Sequence, residues 1–205
     1  MPYFPLFVDL TGKDCLIVGG GTVAARKAQS LLDFGAQLRV VAPEPSEFIK
    51  TLSLTLLARP YQGPKDLVGA TLVIAATDEE ELNRTVAQDA QAVGIPVNVV
   101  DDPEMCTFFF PALVHRGELV TGISTSGSCP RFSALFREHL DATLPPNLGA
   151  ALESLRIERR RLHGAERISY LDSLIVPLLS GIFTPMQQSG NYRQIPPCTL
   201  PKDLI

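Results

Sequence analysis

Apolar residues fall in short, nearly continuous runs, and the segments between them carry polar residues at helical spacing. Residues 14–18, Asp-Cys-Leu-Ile-Val, read as a buried strand. Val23, Lys27, Leu31 and Phe34 then predict a helix over 22–34, closed by Gly35. Residues 38–42 make a second strand, stopped by Pro43 and Pro45, and 54–57 a third. Residues 71–76 are apolar without alternation, the pattern of a parallel strand buried on both faces. A helix follows to about Val93, with Thr77 or Asp78 as N-cap and acids in its first turn; Gly94 ends it, and 95–100 form a fifth strand. Strands alternating with helices predict an open parallel α/β sheet.

After Asp101 the rhythm changes. Residues 107–115 are extended and apolar, 116–118 turn, and 119–124 return, which is a β-hairpin and not another strand–helix unit. A helix over 131–144 is broken by Pro145-Pro146, and further helices fill 147–163 and 165–180. The expected organisation is a sheet domain over 1–111, a hairpin and helix over 112–146, a small helical domain over 147–184 and an irregular tail over 185–205.

The chemistry concentrates where strands end. Gly19-Gly20-Gly21 joins the first strand to its helix in the form G-x-G-x-x-A, the layout of a dinucleotide-binding turn. Gly19 permits a tight turn, Gly21 leaves room for a pyrophosphate, and Ala24 permits close packing of helix on strand. The helix N-terminus offers free N–H groups to the phosphate oxygens. After the second strand stand Pro43 and Glu44; either Glu44 reaches the ribose hydroxyls, or both residues contribute backbone contacts. No arginine follows that strand to meet a 2′-phosphate, which favours NAD over NADP. Thr77, at the carboxyl end of the fourth strand, is either a nicotinamide-side contact or a helix cap alone. Asp101 and Asp102 leave the fifth strand at the same edge, as a general base or as solvated loop carboxylates. The loop Ser124-Thr125-Ser126-Gly127-Ser128 reads either as a carboxylate-holding loop before a helix or as a plain connection.

Composition narrows the field. The 205 residues carry a net charge of −4, against a general nucleic-acid binder. No apolar run reaches the roughly 20 residues of a membrane span, and the first residues do not read as a signal peptide. Cys15, Cys106, Cys129 and Cys198 are scattered and predict reduced cytoplasmic thiols. His115, His139 and His163 fall in no metal-ligand spacing. From Asp102 to Tyr170 the basic residues other than histidine are all arginines, among them Arg116, Arg131, Arg137 and Arg159-Arg160-Arg161. Either these are solvated helix faces, or the second half meets an anionic, carboxylate-rich ligand.

Several of these pieces occur together in one family. Phe4-Pro5-Leu6-Phe7, Val18 to Lys27, Ala75-Ala76-Thr77-Asp78, Val97-Asn98-Val99-Val100-Asp101 and the loop Ser124 to Pro130 stand in its order and at its spacing. Over residues 1–145 the chain resembles the precorrin-2 dehydrogenases, which include the N-terminal half of siroheme synthases. The resemblance implies a Rossmann-type sheet and NAD-dependent oxidation of precorrin-2 to sirohydrochlorin, on the way to siroheme or cobalamin. It implies Asp101 as the catalytic aspartate, and dinucleotide contacts from Thr22, Val23, Pro43 and Glu44, beside the cofactor candidates Gly19, Gly21 and Thr77 read from the residues above. Substrate carboxylates would meet Ser124, Thr125, Ser126, Arg131 and Arg137. Thr125 stands where some relatives carry a serine, and it keeps a hydroxyl. A homodimer is implied, with residues 107–145 as a shared interface over the substrate cleft. Some relatives also insert iron or cobalt, a role that leans on the same aspartate and adds no metal motif. A non-catalytic NAD-sensing or tetrapyrrole-carrying module is the remaining alternative. The methyltransferase half of fused relatives is expected to be supplied by a separate protein.

Overall fold

In the computed structural model, which describes residues 3–164 and 166–183, the first strand β1 (Asp14–Val18) sits at the centre of a five-stranded sheet. Its neighbours are β2 (Gln37–Val41) and β4 (Leu72–Ala75), with β3 (Thr55–Leu57) and β5 (Val97–Val99) at the edges, all parallel in the order β3-β2-β1-β4-β5. Helix α1 (Thr22–Asp33) links β1 to β2, and α3 (Glu80–Ala92) links β4 to β5. The chain order reverses between β1 and β4, so two loops leave the carboxyl edge in opposite directions and open a crevice there.

Alternation along the strands builds two cores. Cys15, Ile17, Val40 and Ile74 pack with Ala24, Ala28 and Leu31 of α1 on one face. Leu16, Val18, Val73, Val97 and Val99 pack with Val86, Ala87 and Ala90 of α3 on the other. Both helices present alanines to the sheet, which lets their backbones approach it closely. At the amino edge, Arg39 of β2 forks onto Asp14 of β1 and also donates to the Asp66 and Val68 carbonyls.

The differences from expectation are local. A short helix, α2 (Glu47–Thr51), follows β2; the Ser46 hydroxyl accepts the Ile49 amide at its start. Helix α3 begins at Glu80 with Glu79 as N-cap, later than the predicted Thr77 or Asp78. The reason is a side-chain turn: Asn83 accepts the Thr77 amide at 3.0 Å and donates to the Thr77 carbonyl at 2.9 Å, holding residues 77–79 outside the helix. Strand β5 starts at Val97 because Pro96 has no amide to give to the ladder.

The chain divides after Phe110. The second unit holds an antiparallel hairpin, β6 (Ala112–Arg116) and β7 (Leu119–Ile123), followed by α4 (Pro130–Thr143), α5 (Leu148–Arg161) and α6 (Glu166–Phe183). Gly117 turns the hairpin at φ 60° and packs on Gly149 of α5, where a side chain on either would collide with backbone. Arg116 pairs with Asp141 of α4 at 2.8 Å. The expected irregular tail over 185–205 lies outside the described residues. No described helix is long and apolar enough to cross a membrane.

Candidate functional site

The glycine turn explains itself residue by residue. Gly19 has φ 124° and faces the Ala76 carbonyl, so that any side chain would overlap it. Its amide donates to the Val41 carbonyl at 2.9 Å, which ties the ends of β1 and β2 together. A Cβ on Gly20 would come within 2.8 Å of Ala42 and Pro45, and the Gly20 carbonyl accepts the Ser46 amide at 2.9 Å. The loop bearing Pro43 and Glu44, both exposed, is therefore stitched to the turn.

Gly21 differs from its neighbours. It is the N-cap of α1, offers no side-chain cap, and has no atom within 4 Å of where a Cβ would stand. Nothing in the protein requires glycine there. The open ground lies in front of the first-turn amides of α1, at Thr22 and Val23, which have no partners within the helix. A helix N-terminus behind an unfilled glycine cradle fits the pyrophosphate of a dinucleotide in charge and in space.

The other strand ends bring the remaining candidates to the same edge. Thr77 is half-buried; its hydroxyl donates to Asn83 Oδ1 at 2.8 Å and accepts the Glu79 amide at 3.2 Å. Asp101 is exposed and sits at φ 61°, a left-handed conformation that Asp and Asn adopt more readily than most residues. Asp102 lies 3.6 Å from Arg84 Nε of α3. A cavity of about 270 Å³ opens here, lined by Glu80, Asn83 and Arg84 on one side and by Val99, Val100, Asp101 and Asp102 on the other.

A residue outside those candidates packs near this edge. Lys27, on the buried side of α1, donates to Asn98 Oδ1 of β5 at 2.9 Å and lies 4.1 Å over the Phe110 ring. Burial pushes its ammonium down to about 8, while the Cys106 and Asp101 charges favour the protonated form and Arg26 opposes it. The sequence signal was present, as a lysine in line with Ala24, Ala28 and Leu31 on an otherwise apolar stripe. Its partner was not, because Asn98 lies 71 residues away.

The predicted substrate residues lie in the second unit, in the loop after β7 and on α4. Thr125 accepts the Cys129 amide at 3.1 Å and the Ser133 hydroxyl at 3.4 Å, and Ser124 accepts the Ser126 amide at 3.1 Å. These bonds shape the loop and set Ser126 at φ 52°. Arg131 is exposed at the start of α4, and Arg137 lies 3.6 Å from Glu138. Among the described residues no group of three or more His, Cys, Asp and Glu side chains is placed to hold a metal ion.

A family model described as "Putative NAD(P)-binding" matches residues 6–112, the whole sheet with its glycine turn and Asp101. The chain belongs to this family. It is also 48% identical over 153 residues to a siroheme synthase of Pseudomonas putida (strain W619), and 46% identical over 153 residues to those of Stutzerimonas stutzeri (strain A1501) and Pseudomonas aeruginosa (strain LESB58). Each match covers 73% of this chain and 33% of the relative, so the chain spans about a third of the length of these curated relatives. Among solved structures, SirC, precorrin-2 dehydrogenase, superposes with a TM-score of 0.68 at 23% identity, covering 90% of this chain and 99% of SirC. That likeness establishes a shared fold.

Proposed function

We propose that this protein oxidises precorrin-2 to sirohydrochlorin with NAD⁺ as the hydride acceptor, in the biosynthesis of siroheme or cobalamin. The observation that carries the reading is Asp101, an acid held in a left-handed turn on the sheet edge that also bears the open cradle at Gly21. The siroheme synthase relatives and the SirC fold support the choice of substrate.

Bound NAD⁺ would supply the hydride acceptor at its nicotinamide ring. The amides of Thr22 and Val23 would hold the pyrophosphate, with Gly19 fixing the turn. Pro43 and Glu44 would border the adenosine ribose, and an acid with no arginine directly after the strand suits an unphosphorylated 2′-hydroxyl. Thr77 would border the nicotinamide side. Oxidation removes a hydride and a proton from the tetrapyrrole, and the Asp101 carboxylate takes the proton as the hydride leaves. Ser124, Thr125, Ser126, Arg131 and Arg137 bind substrate carboxylates, arginine offering the forked, two-point contact that a carboxylate accepts.

The working form is a homodimer. Phe132 and Phe136 stack at 5.9 Å on α4 and are exposed together with Leu135, an apolar strip that a second copy would cover. Cys15, Cys106 and Cys129 are free thiols, which suits the cytoplasm.

The test is an anaerobic assay with enzymatically generated precorrin-2 and either NAD⁺ or NADP⁺, followed in the visible spectrum. Sirohydrochlorin appearing with NAD⁺ and not NADP⁺ supports both reaction and cofactor. Folded protein that binds NAD⁺ but oxidises nothing would sink the reading in favour of a sensing or carrier module.

A further inference from the structure

Asp101 stands on a loop whose neck is closed by backbone and side-chain bonds, the Thr107 amide donating to the Val97 carbonyl at 2.8 Å. Along β5, the Val97 amide donates to Thr107 Oγ1 at 2.8 Å, and the Val99 amide donates to Cys106 Sγ at 3.1 Å. Asn98 Nδ2 donates to the Phe108 carbonyl at 3.1 Å, so residues 106–108 return along the strand they left. The loop between carries Asp101 in its left-handed conformation, and Asp102. Asn98 is buried, and its one acceptor oxygen is taken by the Lys27 ammonium at 2.9 Å. Lys27 is covered in turn by the Phe110 ring. The charges that act on it are Asp101 and Cys106 from this loop and its neck, and Arg26 from its own helix.

We infer that Lys27 is the positioning residue for Asp101: through Asn98 it pins the neck of the Asp101 loop to the helix whose N-terminus holds the dinucleotide. The assignment rests on the proposed dehydrogenase reading for its kinetic consequence, and on geometry for the coupling itself. Helix α1 would meet the pyrophosphate at Thr22 and meets Asn98 at Lys27, so a single rigid element would space the hydride acceptor and the acid. Loss of the ammonium leaves Asn98 Oδ1 buried without its cation and removes the tie between the neck and α1, while the bonds within the neck remain. A displacement of about 1 Å at a reacting group costs on the order of a hundredfold in rate. The pinning also depends on charge, since burial sets the ammonium to release its proton near 8.

The experiment uses the full chain labelled with [ε-¹³C]lysine, with the Lys27 signal assigned by its absence from Lys27→Met. Its titration is followed in the wild type and in Asp101→Asn, a change at an exposed site that leaves the fold intact. The expected Lys27 midpoint lies near 8 and falls in Asp101→Asn, because the carboxylate that favours the charged form is gone. An unmoved midpoint overturns the coupling. In turnover, Lys27→Met should lose on the order of a hundredfold in kcat while its NAD⁺ affinity stays within about threefold. Lys27→Arg, which keeps a cation, should recover much of that loss and extend the active range above pH 8. Wild-type rates in Lys27→Met overturn the assignment. A wild-type protein with no turnover at all defeats the dehydrogenase reading, and the titration then decides the coupling alone.

Discussion

Gly19 and Ala76 stand so close across the sheet edge that glycine is the only residue the position accepts. The φ of 124° and the facing Ala76 carbonyl act together: one penalises any Cβ and the other excludes it. Gly19→Ala should therefore destabilise the protein by about 2–5 kcal/mol, the sum of backbone strain and overpacking. Urea unfolding measures it, and a stability close to that of the wild type would contradict this packing.

Gly21→Ala separates folding from binding. The position has φ −80° and open space around it, so the change should cost at most about 1 kcal/mol, the penalty of alanine at an N-cap. NAD⁺ affinity should nevertheless fall by on the order of tenfold, about 1.4 kcal/mol, because the new methyl group occupies the cradle. Calorimetric titration with NAD⁺ checks it; unchanged affinity would place the pyrophosphate elsewhere.

Asp101→Asn should keep NAD⁺ and precorrin-2 binding yet lose at least about a hundredfold in turnover, the scale of a missing general base. Asparagine tolerates the same left-handed backbone, so the loop is retained. Unchanged turnover would remove Asp101 from the mechanism.

Arg131→Ala and Arg137→Ala should each raise the KM for precorrin-2, more at low than at high salt, since exposed charge contacts are screened. A KM that stays flat across both variants and across ionic strength would end the carboxylate-docking role of α4.

Cys15 makes stability fall in alkali. Burial pushes its thiol from 9.0 up to about 11, so the folded state keeps a proton that the unfolded chain releases. The stabilisation is complete below about pH 9 and is lost as pH rises through 11. Lys27 works in the opposite sense, its folded value lying near 8 against 10.5 unfolded, which raises stability over that interval. Comparison with Cys15→Ala cancels the lysine. The stability gap between wild type and variant should shrink from pH 8 to pH 10.5 in urea melts, and a constant gap would refute the shift.

What could be read without coordinates was what depends on neighbours in the chain. The strand Asp14–Val18, the glycine turn and helix Thr22–Asp33 emerged at their true places, because apolar alternation, glycine conformation and helical spacing are local properties. The hairpin Ala112–Ile123 was legible for the same reason. Helix Glu47–Thr51 was missed because five residues give too few turns to show a period. The start of α3 was displaced because Asn83 reaches back six residues to hold Thr77, a bond that no spacing rule announces.

The sequence by itself determined the sheet, the glycine turn and the acid at the end of the fifth strand, since each is written in consecutive residues whose conformations follow from their own sterics and burial. Only the tertiary structure decided what those pieces do to one another. It left open ground at Gly21 and filled the space at Gly19, although both are glycines in one motif. It also brought Lys27 to Asn98 across 71 residues. Parallel strand order sets such distances, and strand order is a consequence of how two apolar faces are buried at once.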